Sequence, residues 1–431
     1  MRSKKMLALL LVGTMALGLT ACGSKNKDNA ENNQSQGADN AQNGGSTEAQ
    51  KVHLKVWVPE NQIQTGTITT MCQAFNELHP EWDLIFTVEA QGEDTCKENV
   101  LKDVAAAADV YFFASDQLQE LVNAGAIARL GGDAERMVKE EISEAVTATV
   151  TAEDGNIYGI PFTHNTFFMY YDKSILDEDD IESMERIMAK ETADNVYNFC
   201  FDTSGGWKLG AWYYGAGLHI YGESQRDYAA GTNWNNETGL AVTNYLIDLI
   251  NSPKCAYADD VNVTELATER RLGAWFDGAW NYNAYKKALG DDLGVAKLPT
   301  FNPDGNDYQL LSFYSSKAIG VNPQSAHLQA AVALAAYLGN EENQRKRYEE
   351  TAQIPANTKA SASEQVQQDV LAQVIVETVN EASVMQPANA EFSTRYWTNA
   401  GAIATEIRNG TLTKQNAQER LDLFRDAMQV E

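Results

Sequence analysis

The sequence predicts an α/β fold of two to three domains or two large lobes, and three observations indicate it. The first hundred residues of the globular region alternate strand and helix signals, a pattern typical of a parallel sheet covered by helices on both faces. The chain has 431 residues, more than one core of ordinary size requires. The C-terminal third is predicted to be helical, with helices at 364–379, 398–408 and 414–428.

The start of the globular region carries the clearest local signals. Residues 53–58 alternate apolar and polar side chains, as a half-buried strand does. Apolar residues recur at helical spacing across 68–78, and Pro80 ends that helix. The next predicted elements are a strand at 84–88, a helix at 100–108, a buried strand at 109–114 and a short helix at 118–124.

The middle of the chain is less regular, and its segment 197–228 is dense in aromatic residues. Strands at 157–162 and 167–171 are expected to flank a loop at 163–166, and the acidic segment 177–190 is expected to form a surface helix. The remaining predicted elements are helices at 239–250, 278–289 and 326–338 and strands at 274–276 and 317–321.

The charge balance excludes several classes of partner. The chain has 33 basic and 60 acidic residues, a formal net charge of -27. Nucleic acid is not expected as a partner, because its phosphates require a basic face. The same charge disfavours adsorption to an anionic membrane surface, so membrane contact is expected only through a lipid anchor.

The N-terminus predicts that anchor. Three basic residues precede the apolar stretch 6–19, which is shorter than the roughly 20 residues of a membrane-spanning helix but suits a signal peptide. Leu19-Thr20-Ala21-Cys22 then has the form of a bacterial lipobox. We therefore expect residues 1–22 to be a lipoprotein signal peptide, with Cys22 lipidated at the extracellular face of the membrane; an ordinary signal peptide with an incidental Cys22 is the alternative.

Residues 23–50 contain no aliphatic residue larger than Ala and no aromatic residue, and they are rich in Asn, Gln, Gly and Ser. Such a segment cannot bury enough apolar surface to offset its ordering entropy, so a flexible tether is predicted.

The later cysteines Cys72, Cys96, Cys200 and Cys255 lack C-x-x-C spacing. Disulfides Cys72–Cys96 and Cys200–Cys255 and buried free thiols both remain open.

Several segments, in order, resemble the extracellular solute-binding proteins of carbohydrate ABC importers, specifically the maltose/maltodextrin-binding type. They are 104–130 (VAAAADVYFFASDQLQELVNAGAIARL), 156–176 (NIYGIPFTHNTFFMYYDKSIL), 273–280 (GAWFDGAW), 295–300 (VAKLPT) and 354–358 (IPANT). Asp172 replaces a usual Asn, and the third segment lacks a usual Pro. The resemblance spans about 51–428 and is carried by the ordered set, since each motif alone is weak.

The resemblance implies a periplasmic-binding-protein-like fold with a ligand cleft between two lobes. The first lobe is expected to comprise 51–163 plus 317–344, and the second 164–316 plus 345–431, with hinges near 161–164 and 315–317. It also implies a monomer that delivers its ligand to ABC permease subunits, without a cofactor or a metal.

Sugars have hydroxyl rims and weakly apolar faces, so their sites combine aromatic platforms with planar polar groups. The resemblance implies that Glu60 or Asn61, in the loop after the first strand, binds the ligand. The cation that the family has beside this position is missing from this sequence. The resemblance places Asp116 at the carboxyl end of the third strand, an edge where ligands bind in open α/β sheets. The alternative for Glu60 and Asn61 is a solvated turn, and the alternative for Asp116 is a surface cap.

The remaining implied ligand residues continue the same pattern. Phe113 and Gln117 replace the family's Trp and Arg, and Phe113 also suits a core role. Asn165 replaces an acidic ligand residue, and Arg395 or Tyr396 could substitute for family residues lost after Trp397. The implied ligand-binding residues are Glu60, Asn61, Phe113, Asp116, Gln117, Asn165, Trp207, Trp280, Tyr396 and Trp397.

The predicted function is therefore capture of a neutral oligosaccharide for import, and maltose or maltodextrin is the favoured ligand. An extracellular glycosidase on a two-lobed scaffold is the alternative, since the many acids leave a catalytic carboxylate pair possible. The sequence has no G-x-S-x-G, H-E-x-x-H, P-loop or dinucleotide-binding motif, and its five His lack metal-ligand spacing.

Overall fold

The computed structural model describes residues 49–258 and 261–430. Cys22, the signal peptide and nearly all of the predicted tether lie outside these residues. The strands are β1 (Gln50–Val58), β2 (Trp82–Ala90), β3 (Val110–Ala114), β4 (Ile160–Asn165), β5 (Phe167–Asp172), β6 (Tyr197–Phe201), β7 (Cys255–Tyr257), β8 (Leu272–Gly278), β9 (Leu293–Ala296), β10 (Thr300–Phe301), β11 (Tyr308–Gln309), β12 (Ser312–Val321) and β13 (Ser383–Met385).

Helices cover both main sheets. They are α1 (Glu60–Gln64), α2 (Thr67–Leu78), α3 (Cys96–Lys102), α4 (Leu118–Asn123), α5 (Gly132–Glu141), α6 (Glu144–Ala148), α7 (Met184–Ala189), α8 (Gly206–Gly215), α9 (Glu237–Ile250), α10 (Val263–Thr268), α11 (Tyr282–Leu289), α12 (Leu328–Leu338), α13 (Glu341–Thr351), α14 (Thr358–Ser361), α15 (Glu364–Gln367), α16 (Val370–Glu381), α17 (Ala390–Arg408) and α18 (Ala417–Ala427).

Two large sheets organise the chain. The first has the order β13-β12-β3-β1-β2, with β4 also paired to β12, and the second has the order β7-β6-β8-β5-β9. Strand β1 is parallel to both β2 and β3, as the alternating strand and helix signals predict. Strand β12 returns antiparallel to β3 and β4. The predicted α/β class is confirmed.

Each sheet has its own buried core. One hydrophobic cluster combines residues of 52–162 with residues of 314–338, and two others lie on the faces of the second sheet. Strand β12 passes from one core to another, because Phe313 packs with the second sheet and Ala318 with the first. The long strand therefore connects two separately packed bodies.

Local side-chain bonds explain where helix predictions were wrong. The helix expected at 100–108 is instead α3, because Asp103 is extended and its carboxylate accepts bonds from the backbone of Ala105 and Ala106. The helix expected at 364–379 divides into α15 and α16, because Asp369 caps the second helix by accepting from Leu371 N. The surface helix expected at 177–190 is reduced to α7 and a preceding 3₁₀ turn.

The loop expected at 163–166 is also wrong. Strand β4 continues through Asn165 and β5 begins at Phe167, so only Thr166 separates them. The strand that pairs with β4 is β12, which lies about 150 residues away in the chain. Local patterns in the sequence do not show hydrogen bonds to so distant a strand.

The cysteine alternatives are resolved in favour of thiols. Cys72, Cys96 and Cys255 are free and buried, so neither proposed disulfide is present. Cys72 and Cys96 lie in the core of the first sheet, and burial in apolar surroundings raises the pKa of Cys72 to about 12.

Candidate functional site

A cavity of about 690 Å³ contains most of the predicted ligand residues. Eight of the ten line it: Glu60, Asn61, Asp116, Gln117, Asn165, Trp207, Trp280 and Trp397. These residues come from both halves of the chain and from elements of both sheets. The fold thus brings together side chains separated by more than 300 positions in the sequence.

Phe113 and Tyr396 lie elsewhere. Both are fully buried and neither lines the cavity, so the expectation that they contact a ligand is corrected. Phe113 packs edge-on against Tyr111, and the Tyr396 hydroxyl donates to Gly206 O at 2.9 Å. Tyr396 and Trp397 point differently because successive helix residues are about 100° apart, so one faces the core and the next faces the cavity.

Acidic side chains form one wall of the cavity at the carboxyl ends of the parallel strands β1, β2 and β3. Glu60 begins α1 directly after β1, Glu93 and Asp94 follow β2, and Asp116 follows β3. Parallel strands end at the same edge of a sheet, which is why these separate segments meet. We call Glu60, Glu93, Asp94 and Asp116 the carboxylate wall.

The surroundings of Asp116 shift its pKa. Desolvation raises its pKa to about 7, although a backbone hydrogen bond and the charge of Lys97 act in the opposite direction. A raised pKa favours the neutral carboxylic acid, which can both donate and accept hydrogen bonds.

Gln117 lines the cavity, but its side chain is engaged in holding the loop beside it. Its amide nitrogen donates to the carbonyls of Glu93 at 2.8 Å and Asp94 at 2.7 Å, and its oxygen accepts from Lys97 N at 2.9 Å. The residue therefore positions the carboxylate wall.

Tryptophans form a second wall, which we call the aromatic wall: Trp207, Trp280 and Trp397. The rings of Trp207 and Trp280 have centroids 5.8 Å apart, and Trp280 is 39% exposed. Trp397 is supported from behind by edge contacts with Phe313 and Phe392. Apolar ring faces are thus presented to a cavity that also carries carboxylates and amides.

Two glycines allow helix α8 to carry Trp207 to this position. A Cβ on Gly206 would lie 2.8 Å from the Ala400 Cβ, and one on Gly210 would lie 2.6 Å from the Tyr396 hydroxyl. Helix α8 can pack this closely on α17 only because both positions lack a side chain.

Sequence reasoning missed five polar residues of the lining: Glu93, Asp94, Lys317, Gln353 and Gln386. Lys317 is a cation of this lining; its Nζ lies 3.1 Å from Glu93 Oε2 and 5.2 Å from the Trp280 ring centre. Of these five residues, only Glu93 and Asp94 could have been indicated locally, by their position after a predicted strand. The others reach the cavity through long-range packing.

Among 49–258 and 261–430, no group of three or more His, Cys, Asp or Glu side chains is arranged to hold a metal ion. Within the same ranges, no helix is both long and apolar enough to cross a membrane.

The family model described as "Bacterial extracellular solute-binding protein" matches residues 70–374. The galactooligosaccharide-binding protein of Bacillus subtilis is 24% identical, over 97% of this chain and 95% of its own length. A maltooligosaccharide ABC transporter solute-binding lipoprotein of Streptococcus pneumoniae is also 24% identical, over 87% of this chain and 86% of its own.

Solved structures agree in fold. A structure determined with acarbose is 37% identical with a TM-score of 0.82, covering 88% of this chain and 99% of that one. The ligand-free maltodextrin-binding protein MalE1 from L. casei is 26% identical with a TM-score of 0.77, covering 88% of this chain and all of that one. The predicted two-lobed fold is confirmed by these matches.

Proposed function

The chain belongs to the bacterial extracellular solute-binding proteins, and from this premise we propose that it captures an oligosaccharide of the maltodextrin type between its lobes. The observation that carries the proposal is the aromatic wall facing the carboxylate wall across one cavity. Tryptophan faces suit the C–H faces of sugar rings, while carboxylates and amides suit the hydroxyl rims.

The relatives support an oligosaccharide but name different ones. The two relatives named above are described as binding galactooligosaccharides or maltooligosaccharides, and the more similar of the two structures contains acarbose. A cavity of about 690 Å³ has room for more than one sugar ring. Three tryptophans in one wall also favour a ligand of several rings over a monosaccharide.

We further propose that binding closes the lobes around hinges near 161–164 and 315–317. A ligand that contacts both walls binds the closed form better, so it shifts the population toward closure. The proposed lobe division is 51–163 plus 317–344 against 164–316 plus 345–431. Arg347 favours extending the first lobe through α13, because its guanidinium lies over Phe112 and Phe162 of the first core.

The closed form would then present its ligand to the permease of an ABC importer, with no bond in the ligand broken. The chain would be held at the extracellular face of the membrane by a lipid on Cys22. Changing Cys22 to Ala should release the protein into the medium; retention in the membrane fraction would contradict the anchor.

The function is tested by calorimetry of the globular region against maltose, longer maltodextrins and galactooligosaccharides. We expect saturable binding of maltodextrins, and X-ray scattering should show a more compact protein when the ligand is bound. Absence of binding to every sugar would contradict the proposal. Appearance of shorter sugars on long incubation would instead support the glycosidase alternative.

A further inference from the structure

The ammonium of Lys317 lies over the indole ring of Trp280. Its Nζ is 5.2 Å from the centre of that ring and 3.1 Å from Oε2 of Glu93. The side chains of Lys317 and Glu93 are only 14% and 9% exposed, whereas Trp280 is 39% exposed. All three residues line the cavity. The cation therefore stands inside the space that the proposed ligand would occupy.

The main chain holds this ion pair in place. Lys317 of β12 pairs with Ala114, the last residue of β3, and the N–H of Ala114 donates to the carbonyl of Glu93 at 3.1 Å. The side-chain amide of Gln117 donates to the same carbonyl at 2.8 Å. Lys317 and Glu93 are thus both fixed to the end of one strand, so their ion pair forms without a ligand.

The indole of Trp280 is packed on the side of the second sheet. A Cβ on Gly278 would lie 2.0 Å from Cζ3 of the indole, so the ring fills the place of a side chain there. The ring of Trp207 lies beside it, with centroids 5.8 Å apart. A ligand must therefore approach Trp280 from the cavity, which is where the ammonium of Lys317 lies.

Resting on the proposed function, we infer that Lys317 makes an autoinhibitory contact: its ammonium occupies the stacking position on Trp280 until an oligosaccharide displaces it. A sugar ring in van der Waals contact with an indole needs the layer of space directly over the ring. An ammonium over the same ring excludes the sugar from that layer. The attraction between the cation and the indole must be broken before the sugar can stack, and this lowers the affinity for the ligand.

The first test measures the affinity for maltotetraose by calorimetry. Lys317→Ala should bind about fivefold more tightly than the wild type, which corresponds to about 1 kcal/mol and lies within the range of cation–π contacts. Lys317→Arg keeps a cation for the ring, so its affinity should stay near that of the wild type. Lys208→Ala is the matched control, because Lys208 is similarly buried and pairs with Asp202 at 3.0 Å outside this cavity.

Two double variants distinguish the ring from the ion pair as the cause of the gain. In a Trp280→Ala background, Lys317→Ala should no longer increase the affinity, because the contested ring is absent. In a Glu93→Gln background, Lys317→Ala should still increase it. A gain that persists without Trp280, or a loss of affinity in Lys317→Ala itself, would overturn the inference.

Proton NMR of the wild type follows the contact directly. Protons over an aromatic ring are shifted upfield by its ring current, so the ε-methylene protons of Lys317 should be shifted upfield in the ligand-free protein. Their signals, which are assigned by their absence from Lys317→Arg, should return toward ordinary lysine values when maltotetraose binds. Ordinary values in the ligand-free protein, or an upfield shift that persists in the saturated complex, would overturn the inference.

The two proposals fail in different ways. A wild type that binds no oligosaccharide would overturn the proposed function together with this inference. Oligosaccharide binding whose affinity is unchanged in Lys317→Ala would overturn the autoinhibitory contact alone.

Discussion

Nε1 of Trp207 donates a hydrogen bond to Oε1 of Gln386 at 2.8 Å, which joins the aromatic wall to the segment after β13. Gln386 is in turn fixed by its backbone N–H, which donates to Tyr314 O of β12 at 2.8 Å. The orientation of the Trp207 ring thus depends on a residue that lies about 180 positions later in the sequence.

Gln386→Leu removes the acceptor of the Trp207 indole. A hydrogen bond of this kind contributes about 1 kcal/mol, so we expect oligosaccharide affinity to fall roughly fivefold. Calorimetry measures the effect. Gln324→Leu, at a position outside the cavity lining, serves as the control, and an unchanged affinity in Gln386→Leu would show that the bond does not orient the ring.

Trp280→Ala and Trp397→Ala each remove one aromatic platform. Truncation of such a platform costs about 2 kcal/mol, or roughly thirtyfold in affinity. Trp280 is partly exposed, so its loss should leave the fold intact, as circular dichroism can verify. Trp82→Ala, on β2 away from the cavity lining, is a comparison variant. Unchanged affinity in both Trp280→Ala and Trp397→Ala would contradict the assignment of these two rings to the ligand site.

Asp116→Asn should change how stability depends on pH. Burial raises the pKa of Asp116 from 3.8 to about 7, so the folded state holds its proton across a range in which the unfolded chain has lost it. Asp116 therefore destabilises the wild type progressively as pH rises from about 4 to about 7. Urea unfolding at pH 4.5 and pH 8 should show the variant gaining stability relative to the wild type at the higher pH; a constant difference would contradict the raised pKa.

Cys72 and Cys255 should not react with iodoacetamide in the folded protein at pH 8. Burial raises the pKa of each to about 12, so almost no thiolate is present, and the thiolate is the reactive form. Mass spectrometry after labelling in urea supplies the positive control. Rapid labelling of the folded protein would indicate local opening of the cores.

Much of the first sheet could be predicted from the sequence because its signals are local. Alternation at 53–58 corresponds to β1, which buries Val52, Leu54, Val56 and Val58, and the helical spacing of Ile68, Met71, Cys72 and Phe75 corresponds to the buried face of α2. The predicted ends of helices and strands were wrong where a single side chain competes with the helix for backbone hydrogen bonds, as at Asp103. They were also wrong where the pairing strand is distant in the sequence, as at β4.

The residues of the candidate site also fall into those that the sequence indicates and those that only the tertiary structure identifies. The sequence by itself determined the α/β class and the resemblance to a family, and that resemblance implied eight of the residues that line the cavity. Only the tertiary structure separated Trp397 from the neighbouring Tyr396, which depends on how α17 is rotated against its core. It alone brought Lys317 to Glu93 and Trp280, since that contact depends on the pairing of β12 with the distant strand β3 and leaves no local pattern.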